Sequence, residues 1–220
     1  MTRAVVFDLW QTLAVWPEQK SEELRRVWSE SLEVPVERIE ELWHGGDLYR
    51  LRETGPIASA IGALHEALGA SGDVGEILTR RLALTREALV PVAGALPTLR
   101  ALRTRGIATG LISNCTEEVA LVWEETPFAG LFDAVVFSAT AGYMKPDPEI
   151  YELALSQLGV PASESLFVGD GANDELRGAR DAGMTPVLVH SDGLEPPWPT
   201  VRDWGGLRVT AIPQVLDLVE

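Results

Sequence analysis

The sequence predicts an α/β fold, a parallel-sheet core interrupted after its first strand by an all-helical insertion. Three observations predict it. A short apolar run at the N-terminus, Ala4 to Leu9 (AVVFDL), encloses a single acid. From 15 to 87 the apolar residues recur only at helical spacing. Beyond Pro91, short apolar runs alternate with helical segments of about ten residues, and that alternation makes βαβ units and a parallel sheet.

The first run reads as a buried strand ending in a loop at Asp8. In the insertion, Leu24, Val27, Trp28 and Leu32 share one helix face. Ile39, Leu42 and Trp43 mark a second helix, Ile57, Ile61, Leu64 and Leu68 a third, and Ile77, Leu78, Leu82 and Leu84 a fourth. Four helices are therefore expected, with Gly45-Gly46 and Gly69 to Gly75 as turns. After them the order reads helix 97–105, strand 107–113, helix 117–125, strand 134–138, helix 148–158, strand 165–168, helix 173–182 and strand 186–190. A helix over 212–219 closes the chain. Pro196, Pro197 and Pro199 around Trp198 read as a stiff loop. The expected core is 1–14 plus 88–220, and the expected insertion is 15–87.

Acidic residues number 33 and basic residues 18, for a net charge of −15. A surface that negative repels phosphate backbones, which argues against nucleic acid and anionic membrane as partners. The longest stretch without a charge or histidine, Ala88 to Leu99, is interrupted by two prolines and does not make a transmembrane helix. No secretory apolar segment precedes Asp8. The one cysteine, Cys115, has no partner for an internal disulfide. A reducing cytoplasm is the natural setting. Nothing in the sequence sets an oligomeric state.

In open α/β sheets, ligands bind beyond the carboxyl ends of the strands. That rule gathers Asp8, Ser113-Asn114 and Gly169-Asp170 at one rim, with the insertion above it as a cap. Asp170 and Asp174 lie four apart in Gly169-Asp170-Gly171-Ala172-Asn173-Asp174, a Gly-bearing turn entering a helix. One acid there would suffice as a helix cap. Three carboxylates meeting (Asp8, Asp170, Asp174) repel one another unless a hard cation such as Mg²⁺ joins them. Lys145 stands before Pro146-Asp147-Pro148 and is the one lysine of the expected core. Ser113 and Asn114 end a strand, where hydroxyl, amide and backbone N–H groups serve either as a helix cap or as an anion cradle.

Together the stretches VVFDLWQTL (Val5–Leu13), GLISN (Gly110–Asn114), SATAGYMKPDPEIY (Ser138–Tyr151) and LFVGDGANDELRGARDAGM (Leu166–Met184) resemble the haloacid dehalogenase-like hydrolase superfamily, which is mostly phosphatases. The resemblance implies a Rossmann-like core with a helical cap inserted after the first motif. It implies Asp8 as the nucleophile that becomes an aspartyl phosphate, Ser113 and Asn114 as holders of the phosphoryl oxygens, and Lys145 as the neutralising cation. It further implies Asp170, Asp174 (directly or through water), Asp8 and the main-chain carbonyl of Trp10 as Mg²⁺ ligands. The implied substrate is a small phosphorylated, or halogenated, molecule.

The pattern breaks at Trp10. Phosphatases of this superfamily carry there an aspartate that protonates the leaving group, and an indole cannot do so. Gln11 replaces the following glycine, while Thr12 fits the pattern and, with Trp10, is expected on the substrate side. Three readings follow. The protein is a phosphatase slow on alkyl esters or specific for acyl or aryl phosphates. Or it is a haloacid dehalogenase, which carries tyrosine at the position of Trp10 and uses no metal, although Asp170 counts against that. Or it is a non-catalytic binding module. A Schiff base on Lys20, as in phosphonatases, is weaker, because Lys20 sits in a solvated acidic helix start. His44 and His65 lack metal-site spacing and read as structural. Trp28 and Trp43 read as cap core, and Trp16 as the tryptophan leaving the rim toward substrate.

Overall fold

A computed structural model of the chain describes residues 1–190 and 198–219. Pro196 and Pro197, assigned above to a stiff loop, lie outside them. Strands β1 (Ala4–Phe7), β2 (Ala108–Ser113), β3 (Ala134–Phe137), β4 (Ser165–Gly169), β5 (Thr185–Val189) and β6 (Leu207–Val209) form one sheet in the order β3-β2-β1-β4-β5-β6. All five pairings are parallel, as expected for an α/β core. Strand β1 is central, with Phe7 in register with Leu111 on one side and Val168 on the other. All four of its residues are buried, which explains an unbroken apolar run rather than an alternating one.

Five helices, not four, separate β1 from the rest: α1 (Glu18–Leu32), α2 (Val36–Trp43), α3 (Gly46–Thr54), α4 (Ile57–Leu68) and α5 (Val74–Ala88). Helix α3 escapes the periodicity because Leu48 and Leu51 are its only aliphatic side chains and its buried positions are Arg52 and Glu53. The five helices share an apolar cluster of their own, with Trp28, Trp43, Ile61 and Leu64 at its centre. Trp28 Nε1 donates to His65 Nε2 at 2.9 Å inside it. Lys20 pairs with Glu87 at the surface, in keeping with a solvated lysine.

Helices α6 (Ala95–Thr104), α7 (Glu118–Val122), α8 (Ser138–Ala141), α9 (Pro148–Leu158) and α10 (Glu175–Asp181) complete the core, with one apolar cluster on each face of the sheet. Three expectations need correction. Residues Ile212–Leu218 form a 3-10 helix instead of an α-helix. Strand β6 was not expected, and only Val209 of its three residues is buried, too little to leave a pattern. Helix α10 begins at Glu175 rather than at Asn173, because Asn173 (φ 51) and Asp174 (φ 57) are both left-handed, a conformation that short polar side chains tolerate. No helix among the described residues is long and apolar enough to cross a membrane.

Candidate active site

Asp8 follows β1 directly, and its N–H donates to the Val168 carbonyl at 2.8 Å, so the ladder holds the backbone one residue past the strand. Its carboxylate is buried at the rim. From the other side comes Lys145, 2% exposed, whose loop is clamped at two points by Asn114. Asn114 Nδ2 donates to the Lys145 carbonyl at 2.9 Å, and the Lys145 N–H donates to Asn114 Oδ1 at 2.7 Å. The Asn114 side chain therefore places Lys145, a task that its expected role as phosphoryl holder did not include. Ser113 is fully buried, its hydroxyl 3.5 Å from the Asn114 carbonyl.

Lys145 Nζ reaches Asp8 Oδ1 and Glu175 Oε2, each at 2.5 Å. Glu175 Oε1 accepts from the Gly171 N–H at 2.9 Å. Glycine is required at 169 for this approach, since a Cβ there would lie 2.1 Å from Glu175 Oε1. Glu175 was not singled out from the sequence. The left-handed pair Asn173-Asp174 turns it inward and turns Asp174 outward, where Asp174 Oδ2 pairs with Arg177 at 3.0 Å. The carboxylates that converge are those of Asp8, Asp170 and Glu175, each with an oxygen within 4.8 Å of the others. Asp174 is not part of the group.

Burial pushes the Asp8 carboxyl up, Lys145 pulls it down, and Asp170 adds a second upward push; the net direction is up. Glu175 is pushed up to about 8, by burial first, against Lys145 and with Asp8. Burial works to lower Lys145, but Asp8 and Glu175 outweigh it and hold the ammonium charged. Were every group ionised, as a bound cation would favour, three carboxylates and one ammonium would leave two negative charges in a desolvated site. That surplus, on hard oxygen donors, fits a divalent cation such as Mg²⁺.

Trp10 is half-buried and meets Trp16 edge-on, ring centroids 4.9 Å apart. Both line a cavity of about 260 Å³ with Asn114 and Cys115 from the core and Arg52 and Glu53 from α3. Gln11 has φ 61, in the left-handed region where the glycine it replaces would sit without strain. Thr12 is buried, and its Oγ1 has no partner among the described residues. Sequence reasoning also missed the charges under the helices. Arg81 pairs with the fully buried Glu118, and Arg52 Nη2 lies 3.4 Å from Glu53 Oε1. The Arg52 and Arg81 guanidiniums lie 5.1 and 4.9 Å from the Trp43 ring.

A family model described as haloacid dehalogenase-like hydrolase matches residues 2–183. The chain belongs to this family. Among similar proteins, a glyceraldehyde 3-phosphate phosphatase of Methanothermobacter thermautotrophicus is 35% identical over 135 residues, 60% of this chain and 58% of that protein. A Mycobacterium tuberculosis protein named Phosphatase MT3486 is 32% identical over 199 residues, 86% of this chain and 88% of that one. The match spans about half the length, or less, of several other curated relatives, for example 43% of a bovine haloacid dehalogenase-like hydrolase domain-containing protein 3. Among solved structures, a 2-haloacid dehalogenase from Pseudomonas syringae pv. Tomato DC3000 superposes with a TM-score of 0.74 at 23% identity, covering 100% of this chain and 98% of that one. A HAD phosphatase from Thermococcus onnurineus gives 0.73 at 20% identity, with the same coverage. At these identities the two structures establish the fold, and they stand on opposite sides of the phosphatase–dehalogenase division.

Proposed function

We propose that this haloacid dehalogenase-like hydrolase is a metal-dependent phosphatase that acts through an aspartyl phosphate on a small phosphorylated metabolite in the cytoplasm. The observation that carries the reading is Asp170 beside Asp8, in a carboxylate group whose charge surplus calls for a divalent cation. Residues 15–87 act as a cap over the strand rim, and the cavity shared by Trp10, Trp16 and Arg52 receives the leaving group.

Asp8 Oδ attacks phosphorus and the leaving group departs with the electron pair of its P–O bond. Water then hydrolyses the acyl phosphate, releasing inorganic phosphate and restoring Asp8. Lys145 neutralises charge shared between Asp8 and the incoming phosphoryl group, with Glu175 keeping the ammonium in place. Ser113 and the Asn114 backbone hold phosphoryl oxygens, and Thr12 and Trp10 border the substrate. Magnesium, held by Asp8, Asp170, Glu175 and the Trp10 carbonyl, would supply Lewis-acid charge compensation when bound. Asp174, paired with Arg177, is left out of that set. With Trp10 where an acid would stand, leaving groups stable as anions are favoured, so acyl and aryl phosphates are preferred over alkyl esters.

One observation favours a second reading, dehalogenation. A halide needs no proton when it leaves, so Trp10 costs that reaction nothing. The test is an assay of purified protein on acetyl phosphate, an aryl phosphate and 2-chloropropionate, with Mg²⁺ or EDTA, beside Asp8→Asn. Phosphate release that needs Mg²⁺ and Asp8 is the expected result. Chloride release that survives EDTA would replace the phosphatase reading with the dehalogenase one.

A further inference from the structure

We propose that Trp198 is a positioning residue that holds Asp170 in the orientation a divalent cation requires, an inference that rests on the metal-dependent reading above. Trp198 Nε1 donates to Asp170 Oδ2 at 2.7 Å. The other oxygen, Oδ1, accepts from the Ala172 N–H at 3.1 Å. One donor on each oxygen fixes the plane of the carboxylate as well as its direction. A carboxylate has about four lone-pair sites, so two remain for a cation shared with Asp8 and Glu175.

The contact is built into the fold. Trp198–Val201 is tied to the Asp170–Gly171 turn at three successive points. The first is the indole hydrogen bond itself. At the second, Thr200 Oγ1 lies 3.5 Å from the Gly171 carbonyl. At the third, the Val201 side chain, 3% exposed, packs so closely on Gly171 that a Cβ there would meet Val201 Cγ1 at 2.5 Å. Gly171 has φ 90, so it satisfies both this packing and a backbone conformation that side chains rarely adopt. The segment thus carries the indole to Asp170 as one unit with the turn that bears the ligand.

The choice of side chain matters chemically. A lysine or arginine at this position would also orient Asp170, but its charge would compete with the cation for the same carboxylate. An indole N–H is a donor only and carries no charge. It orients the ligand and leaves the negative charge for the metal, as groups behind metal ligands commonly do.

The test uses the full chain, Mg²⁺ as the probe and two readouts that need no turnover. Titration calorimetry compares wild type with Trp198→Phe, which keeps a ring and removes the N–H, and with Trp204→Phe, a control in the same segment whose indole donates to the Leu207 carbonyl. Trp198→Phe is expected to raise the Mg²⁺ Kd about tenfold or more, and Trp204→Phe to leave it unchanged. In the ¹⁵N–¹H spectrum of wild type, the Trp198 indole signal is expected to shift on Mg²⁺ addition while the Trp204 signal stays. This second readout decides the matter if Trp198→Phe does not fold. An equal Kd in Trp198→Phe, or an unmoved Trp198 indole signal in a wild type that does bind Mg²⁺, overturns the assignment. A wild type that binds no Mg²⁺ at all overturns the metal-dependent reading and this inference with it.

Discussion

Glu175 and Asp8 share one ammonium, with Lys145 Nζ 2.5 Å from a carboxylate oxygen of each. The acid that holds Lys145 is thus the one directly after Asp174, and the two neighbours differ sharply in surroundings. Glu175 is 1% exposed, whereas Asp174 pairs with Arg177 at the surface. Glu175→Gln is expected to weaken Mg²⁺ binding and lower kcat by about tenfold or more. Asp174→Asn is expected to change either by much less, since an exposed pair contributes only about 0.2–1 kcal/mol. Steady-state kinetics and calorimetry on both variants check this, and the reverse ranking would return the metal role to Asp174.

Trp10→Asp should place an acid two residues after Asp8, the proposed nucleophile. General acid–base help is worth about 10²–10⁴-fold, so turnover of an alkyl phosphate such as glycerol phosphate is expected to rise by about 10²-fold. Acetyl phosphate, whose leaving group needs no proton, should hardly change. Equal gains on both would mean that the variant acts by opening the cavity where Trp10 meets Trp16, not by proton transfer.

The pair Arg81–Glu118 joins α5 to α7, and Glu118 has no exposed surface. Removing one member leaves a buried charge alone, which typically costs about 3–5 kcal/mol. Arg81→Met is therefore expected to lower the urea midpoint strongly. Exchanging both partners together (Arg81→Met with Glu118→Leu) should recover most of that loss.

His65 accepts the Trp28 indole N–H through Nε2 and must be neutral there to do so. Burial holds its pKa below the ordinary value of 6.5. A histidine with a depressed folded-state pKa contributes stability that is fully present above its unfolded value and is lost as pH falls from there toward the folded value. Unfolding free energy should therefore decline from pH 6.5 downward. His65→Gln, which keeps an acceptor but does not titrate, should lack that part of the decline in denaturant titrations across the same range.

Asp8, Lys145 and Asp170 were legible because each is a polar residue at the end of an apolar run or beside a rigid proline turn, positions that the parallel sheet brings to one rim. Glu175 was not, because which of two adjacent acids faces inward depends on left-handed dihedrals at Asn173 and Asp174 that composition does not reveal. Helix α3 was hidden for a related reason. Its buried face is Arg52 and Glu53, and a search for apolar periodicity passes over a charged interior. The Trp198–Asp170 bond joins positions 28 apart, so no local pattern announces it.

The strand order has a consequence for how this protein can vary. Asp8 extends from β1, Ser113 ends β2 with Asn114 just beyond it, Asp170 follows β4, and Lys145 comes from the loop past β3 and α8, so the candidate site hangs on four adjacent strands of the six. Strands β5 and β6, at the other edge, carry none of these side chains. Substitutions along the β6 margin should alter the lifetime of the folded molecule while its reactivity stays constant, leaving that margin free to drift or to acquire a new neighbour.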